Sequence, residues 1–147
     1  MLCLQETKWV GAKAKELDTS GFKLWYTGKS KTRNGVGIII DKEWRDKVVD
    51  IKRMGDRILS LKLVVDRETF HVISAYAPQV GLSEQNKLLF WENFENLLQS
   101  IPAEEKVFLG GDLNGHVRRE PRGYEGFHGG FGFGLVNVED KAILDFA

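Results

Sequence analysis

Glu6, Asp112 and Asn114 form an all-oxygen set without histidine or cysteine, and their types suit a hard cation better than zinc. Each follows a short apolar run. Leu2-Cys-Leu4 leads into Gln5-Glu6, and Val107-Phe-Leu109 leads into Gly110-Gly-Asp112-Leu-Asn114. Carboxylates at the end of a buried strand stand at the rim of a sheet, where a ligand can reach them. Mg²⁺ or Mn²⁺ typically takes one or two protein carboxylates and fills its remaining positions with water and phosphate oxygens. That is the requirement of phosphodiester hydrolysis, in which an amide such as Asn114 positions the nucleophile or binds a phosphoryl oxygen. Asp112 and Asn114 are two apart, so an extended backbone would point both side chains the same way. Tyr76 ends another apolar run, Ile73-Ser-Ala-Tyr76, and its hydroxyl could donate to a phosphate. Plainer readings stand beside these. Asp112-Leu-Asn-Gly115 also suits an Asx-type turn, Glu6 a solvated strand end, and Tyr76 the edge of a core.

The elements that must position these residues follow from patterning. Leu2–Leu4, Phe22–Thr27, Val36–Ile40, Val48–Lys52 and Val107–Leu109 read as strands, and Val36–Ile40 is apolar enough for burial on both faces. Ile58–Val65 and Phe70–Ala75 flank a predicted four-residue hairpin loop, Asp66–Thr69. Val10–Leu17 is expected to form a short helix. Ser83 is expected to cap a second helix, in which Phe90, Phe94, Leu97, Leu98 and Ile101 share one face and Pro102 follows the stop. Residues 110–134 hold 9 of the 16 glycines and read as loop, and Val138–Ala147 reads as a helix. Consecutive strands with a hairpin argue for an α+β sandwich over an alternating parallel sheet.

Composition narrows the function classes. Lysine plus arginine and aspartate plus glutamate both number 21, so the formal charge is zero. Residues 1–67 carry 15 basic and 9 acidic groups, net +6; residues 68–147 carry 6 and 12, net −6. Zero net charge excludes a histone-like protein, while the basic half leaves nucleic acid open. Lys29, Lys31 and Arg33 lie in a polar turn suited either to solvent or to phosphate-backbone contact. Trp9 and Trp25 lie in this basic half and suit a core or a DNA-facing position. A lone Cys3 cannot form an internal disulfide, and no zinc spacing, signal peptide or membrane-length apolar window is present, so an intracellular protein without a membrane partner is expected.

In order along the chain, Gln5-Glu6-Thr7, Asn34-Gly-Val-Gly-Ile-Ile-Ile40, Ser74-Ala-Tyr-Ala-Pro78 and Gly110-Gly-Asp-Leu-Asn114 resemble the exonuclease–endonuclease–phosphatase superfamily. Ala77-Pro-Gln-Val-Gly81, Asp112-Leu-Asn-Gly-His-Val117 and Leu144-Asp-Phe-Ala147 are similar to the apurinic-type endonuclease domain of RTE-type non-LTR retrotransposons, a group that includes craniofacial development protein 2-like sequences. The resemblance covers essentially the whole chain. It implies a four-layer α/β sandwich, Glu6 as a metal ligand, Tyr76 as a phosphate contact, and Asp112 and Asn114 beside the scissile phosphate. It also implies Mg²⁺ or Mn²⁺ as cofactor, DNA as partner and a nuclear location.

The resemblance further implies a strand ahead of Leu2 ending in asparagine, and a later Asp-His pair that activates water. The expectation is therefore one partial domain over residues 1–147, incomplete at both ends, with DNA endonuclease activity impaired. A non-catalytic nucleic-acid-binding module that keeps the fold is the alternative, and a phosphatase acting on small phosphoesters or lipids also stays open. His71, His116 and His128 are read as structural or solvent-facing, not as that water-activating group.

Overall fold

A computed structural model describes residues 1–17, 21–79 and 81–114. Eight strands and one α-helix follow one another in these residues. The strands are β1 (Leu2–Gln5), β2 (Gly11–Leu17), β3 (Phe22–Gly28), β4 (Val36–Ile40), β5 (Val48–Met54), β6 (Ile58–Val65), β7 (Glu68–Tyr76) and β8 (Lys106–Asp112). Helix α1 (Glu84–Gln99) lies between β7 and β8, and a 3₁₀ turn at Arg45–Lys47 precedes β5. The predicted helix over Val138–Ala147, along with His116 and His128, lies outside the described residues.

Two four-stranded sheets form, in the orders β1-β4-β3-β2 and β5-β6-β7-β8. All pairings are antiparallel except β7 with β8. A parallel pair needs a crossover, and α1 supplies it. Alternation along β6 and β7 decides which layer each side chain joins. Leu59, Leu61, Leu63, Val72 and Tyr76 meet Trp25, Val36, Ile38 and Ile40 of the first sheet. Ile58, Ile73 and Ala75 point the other way, against Phe90, Phe94, Leu97 and Leu98 of α1. The second sheet is thus the middle layer, covered by a sheet on one face and by a helix on the other.

The α1 boundaries have local causes. Ser83 accepts a hydrogen bond from the Asn86 amide at 3.2 Å, and Glu84 sits favourably in the first turn. Phe90, Phe94, Leu97 and Leu98 fall on one face, and the chain leaves the helix at Ser100 with Pro102 just beyond. Phe94 is fully buried, so its loss would cost roughly 3–5 kcal/mol.

Two expectations are corrected. Val10–Leu17 is a strand from Gly11, in register with β3 from Gly11↔Gly28 to Leu17↔Phe22. Alanine, lysine and glutamate are good helix formers, but propensity differences are only roughly tenths of a kcal/mol per residue, and a full ladder with β3 outweighs them. The hairpin between β6 and β7 uses a two-residue loop, Asp66-Arg67, with φ of 49° and 71°. Two successive left-handed residues match the strand twist, which lets Glu68 and Thr69 pair with Val65 and Val64.

Candidate functional site

Three strand ends converge at one rim of the sandwich. β1 is bound to β7 across the sheet interface by polar contacts in addition to packing. The Ser74 hydroxyl donates to the Leu4 carbonyl at 3.0 Å and accepts from the Gln5 side-chain amide at 3.1 Å. One residue past β1, Glu6 turns into the left-handed region at φ 51°. Its Oε1 there accepts a hydrogen bond from the Tyr76 hydroxyl at 2.6 Å, although 70 positions separate the two residues. Tyr76 ends β7 and lies opposite Asp112, the last residue of β8. Glu6, Tyr76 and Asp112 therefore stand together, as their positions after apolar runs anticipate.

Tyr76 is the hub of this group. It is 3% exposed, and its hydroxyl also accepts from the Gln79 amide at 2.8 Å. Burial, the hydrogen bond to Glu6 and the nearby Glu6 and Asp112 charges push its pKa up to about 12, while Gln79 opposes the shift. The phenol, already neutral at physiological pH at the ordinary tyrosine value, therefore stays a donor further into the alkaline range. Arg57, at the foot of β6, places its guanidinium 5.2 Å from the Tyr76 ring centroid and donates to the Tyr76 carbonyl at 3.1 Å. Burial lowers the Arg57 pKa, with Arg33 adding to that effect and Asp56 and Tyr76 opposing it.

Asp112 and Asn114 do not project side by side from an extended strand. Asn114 is left-handed, at φ 49°, and its backbone amide donates to Asp112 Oδ1 at 2.9 Å. The plainer Asx-turn reading describes this local geometry. The turn is nevertheless held at the rim: Leu113 is fully buried between the two polar residues, and the Asn114 side-chain amide donates to the Ala77 carbonyl. The Ala77 amide in turn donates to the Asp112 carbonyl at 2.8 Å. Gly110 and Gly111 belong to β8, not to a loop. A Cβ at Gly111 would stand 2.2 Å from the Ala75 carbonyl oxygen, so glycine is needed for the approach that sets Asp112 beside Tyr76.

The basic turn joins the same rim. Asn34 donates through its side-chain amide to Asp56 Oδ2 at 3.0 Å, and the Gly35 amide donates to the Asp56 carbonyl at 3.0 Å. Thr7 and Lys8 donate to the carbonyls of Gly35 and Asn34. Lys29, Lys31 and Arg33 are exposed on this turn. Trp25 is buried in the core, whereas Trp9 is 42% exposed. His71 faces the helix layer of β7 and is hydrogen-bonded to Glu105, which fits its structural reading. Patterning did not single out Arg57, Asp56 or Gln79 for roles; the positions of Arg57 at the start of a strand and of Gln79 just after Pro78 were the available signals.

Among the described residues, no group of three or more His, Cys, Asp or Glu gathers as a cage for a metal ion. The oxygen donors at the rim suit a hard cation that keeps water and substrate oxygens in most of its positions. Glu6 fits such a partial ligand role, because a carboxylate accepting from Tyr76 retains further acceptor capacity.

No family model matches the chain. It is 29% identical over 147 residues to craniofacial development protein 2 of Bos taurus and of Tragulus javanicus, which covers 99% of this chain but 24% and 25% of those proteins. The chain thus spans about a quarter of the length of the curated relatives it matches. Among solved structures, humanized D. rerio TDP2 superposes with a TM-score of 0.54 at 12% identity, covering 77% of this chain and 51% of that one. The human Nocturnin catalytic domain with bound sulfate anion gives 0.50 at 15% identity, covering 82% and 51%. The fold is endonuclease/exonuclease/phosphatase-like. D. rerio TDP2 complexed with single strand DNA product gives 0.51 at 10% identity, covering 74% and 44%. No described helix is long and apolar enough to cross a membrane.

Proposed function

We propose that this chain carries the nucleic-acid-facing part of a Mg²⁺-dependent phosphodiester-cleaving domain derived from a non-LTR retrotransposon, with DNA as substrate and the nucleus as its place of action. The observation that carries the reading is the meeting of Glu6, Tyr76 and Asp112 at one rim, sealed by the 2.6 Å hydrogen bond from Tyr76 to Glu6. Support for the substrate class comes from the basic turn tied to that rim and from the TDP2 structure crystallised with single strand DNA product. The retrotransposon origin rests on the motif wording at Ala77–Gly81 and Asp112–Val117.

Glu6 would hold the cation, which when bound neutralises phosphate charge and stabilises the leaving oxygen. Tyr76, a neutral phenol, donates a hydrogen bond toward a phosphoryl oxygen when substrate competes with Glu6 for its proton. Arg57 adds fixed positive charge behind the Tyr76 ring. Asp112 orients the attacking water or passes a proton to the leaving oxygen, and the Asn114 amide holds the phosphate. The Asn114 backbone bond to Asp112 keeps these two groups in register.

The test is nicking of supercoiled plasmid in Mg²⁺ and in Mn²⁺, with Asp112→Ala beside the wild-type chain. Loss of a general acid or base at Asp112 should lower the rate by roughly 10²–10⁴-fold. Nicking that is absent, or equal in both proteins, at high protein concentration in both metals would overturn the catalytic reading. A non-catalytic binding module is the second reading, favoured by the self-satisfied Asp112–Asn114 turn. It is recognised by salt-dependent DNA binding that Asp112→Ala leaves unchanged.

A further inference from the structure

The aromatic pair Trp9–Tyr26 lies beside the proposed site without belonging to it. We infer that Trp9, braced by Tyr26, is a stacking platform for an unpaired base of a single-stranded or locally opened nucleic acid whose backbone passes the Glu6 rim. The inference rests on the nucleic-acid reading above for its ligand class, and it adds a preference for unstacked bases.

Geometry favours this over a packing role. The two ring centroids are 5.6 Å apart with planes at 71°, an edge-on contact. In such a contact one ring offers its edge to a face of the other, so at least one face of the Trp9 indole is left uncovered by Tyr26, whichever ring offers the edge. Trp9 is 42% exposed, against 3% for Trp25 on the neighbouring strand. The backbone that carries the exposed ring is also held in place. A Cβ at Gly28 would stand 1.9 Å from the Trp9 carbonyl oxygen, so the segment after Glu6 lies directly on the end of β3. Thr7 and Lys8 are hydrogen-bonded to the Asn34–Gly35 turn just before it. An aromatic ring on a fixed backbone, braced by a neighbouring ring, loses less freedom when a base lands on it.

The surroundings have the charge a phosphate backbone requires. Lys8 precedes Trp9, Lys13 pairs with Tyr26 across β2 and β3, and Lys29 follows Gly28; all three are exposed. Trp9 stands three positions after Glu6, a span of at most about 11 Å. That is about three base steps of a stacked strand. A base on Trp9 and a phosphate at Glu6 can therefore belong to one short stretch of chain. Aromatic stacking with flanking lysines is the general solution for single strands, because every base has a π-face.

The test uses fluorescently labelled oligo-dT, oligo-U and a blunt DNA duplex, with chelator present so that no cleavage intervenes. Trp9→Leu retains apolar cover but has no π-face, and Trp9→Phe retains both; circular dichroism and melting establish that each is folded. Trp9→Leu is expected to weaken oligo-dT binding on the order of tenfold, with Trp9→Phe within about threefold of wild type and duplex affinity unchanged. Equal loss for oligo-U assigns the platform to single strands of either sugar, and loss for oligo-dT alone assigns it to DNA. Binding should quench tryptophan fluorescence in the wild type and leave it unquenched in Trp9→Phe. If the wild type binds oligo-dT and Trp9→Leu binds it equally well, the platform is refuted while the nucleic-acid reading survives. If the wild type binds neither single strands nor duplex at low salt, both fail.

Discussion

Replacing Tyr76 with Phe removes one hydroxyl from the centre of the rim, and its consequences can be worked out before measurement. At neutral pH the variant loses the hydrogen bonds to Glu6 and from Gln79. Both partners are exposed and can turn to water, so the cost should be about 1 kcal/mol, not the larger penalty of a stranded buried charge. The pH dependence is more diagnostic. The folded-state pKa is raised from 10 to about 12, chiefly by burial and then by Glu6. The stabilisation it contributes is therefore complete below about pH 10 and lost as pH rises toward about pH 12. At 1.36 kcal/mol per unit, the wild type should lose roughly 2–3 kcal/mol across that window beyond what the variant loses. About half of that is due by roughly pH 11. Urea unfolding of both proteins at steps from about pH 8 to pH 11 gives the difference directly, since other titrating groups are shared and cancel. The wild-type advantage should shrink above about pH 10 and then reverse. A constant difference over that range would refute the buried, Glu6-bonded environment from which the raised Tyr76 pKa arises.

Other consequences are shorter to state. Gly111→Ala places a methyl against backbone at Ala75, where nothing can give, and should destabilise by about 2 kcal/mol or more in thermal or chemical unfolding. Nicking or nucleic-acid binding should then suffer through Asp112 even under conditions where the variant is folded. Exchanging Lys29, Lys31 and Arg33 for glutamine should weaken DNA binding and reduce the salt slope by about 1 for each phosphate no longer neutralised, read from fluorescence anisotropy across salt concentrations. Cys3, whose pKa is pushed up to about 12 mainly by burial, should react slowly with iodoacetamide in the native protein and rapidly once urea unfolds it.

Much of the frame was legible from local pattern. The five β-branched or apolar residues of Val36–Ile40, the shared face of Phe90, Phe94, Leu97 and Leu98, and the Ser83 cap depend on neighbours a few residues away, and they form as expected. Errors came where distant partners decide. Gly11–Leu17 is a strand because β3 offers it a ladder, and the hairpin loop is short because Glu68 and Thr69 pair with Val65 and Val64. Asn114 turns back because burying Leu113 and bonding Ala77 outweighs continued extension at the strand end.

The candidate site divides along the same line. Residue types and their places after apolar runs sufficed to nominate Glu6, Tyr76, Asp112 and Asn114, because a strand end projects whatever follows it to the rim of a sheet. The register of β7 with β8 and the Ser74 bonds to β1 alone decide that these ends coincide. Only the assembled rim brings Arg57 behind Tyr76 and raises the tyrosine's pKa, since burial and charge proximity are properties of space, not of order along the chain. The fate of the two tryptophans was settled in the same way. Both lie in the basic half of the sequence, yet sheet packing buries Trp25 and leaves Trp9 facing solvent beside the site.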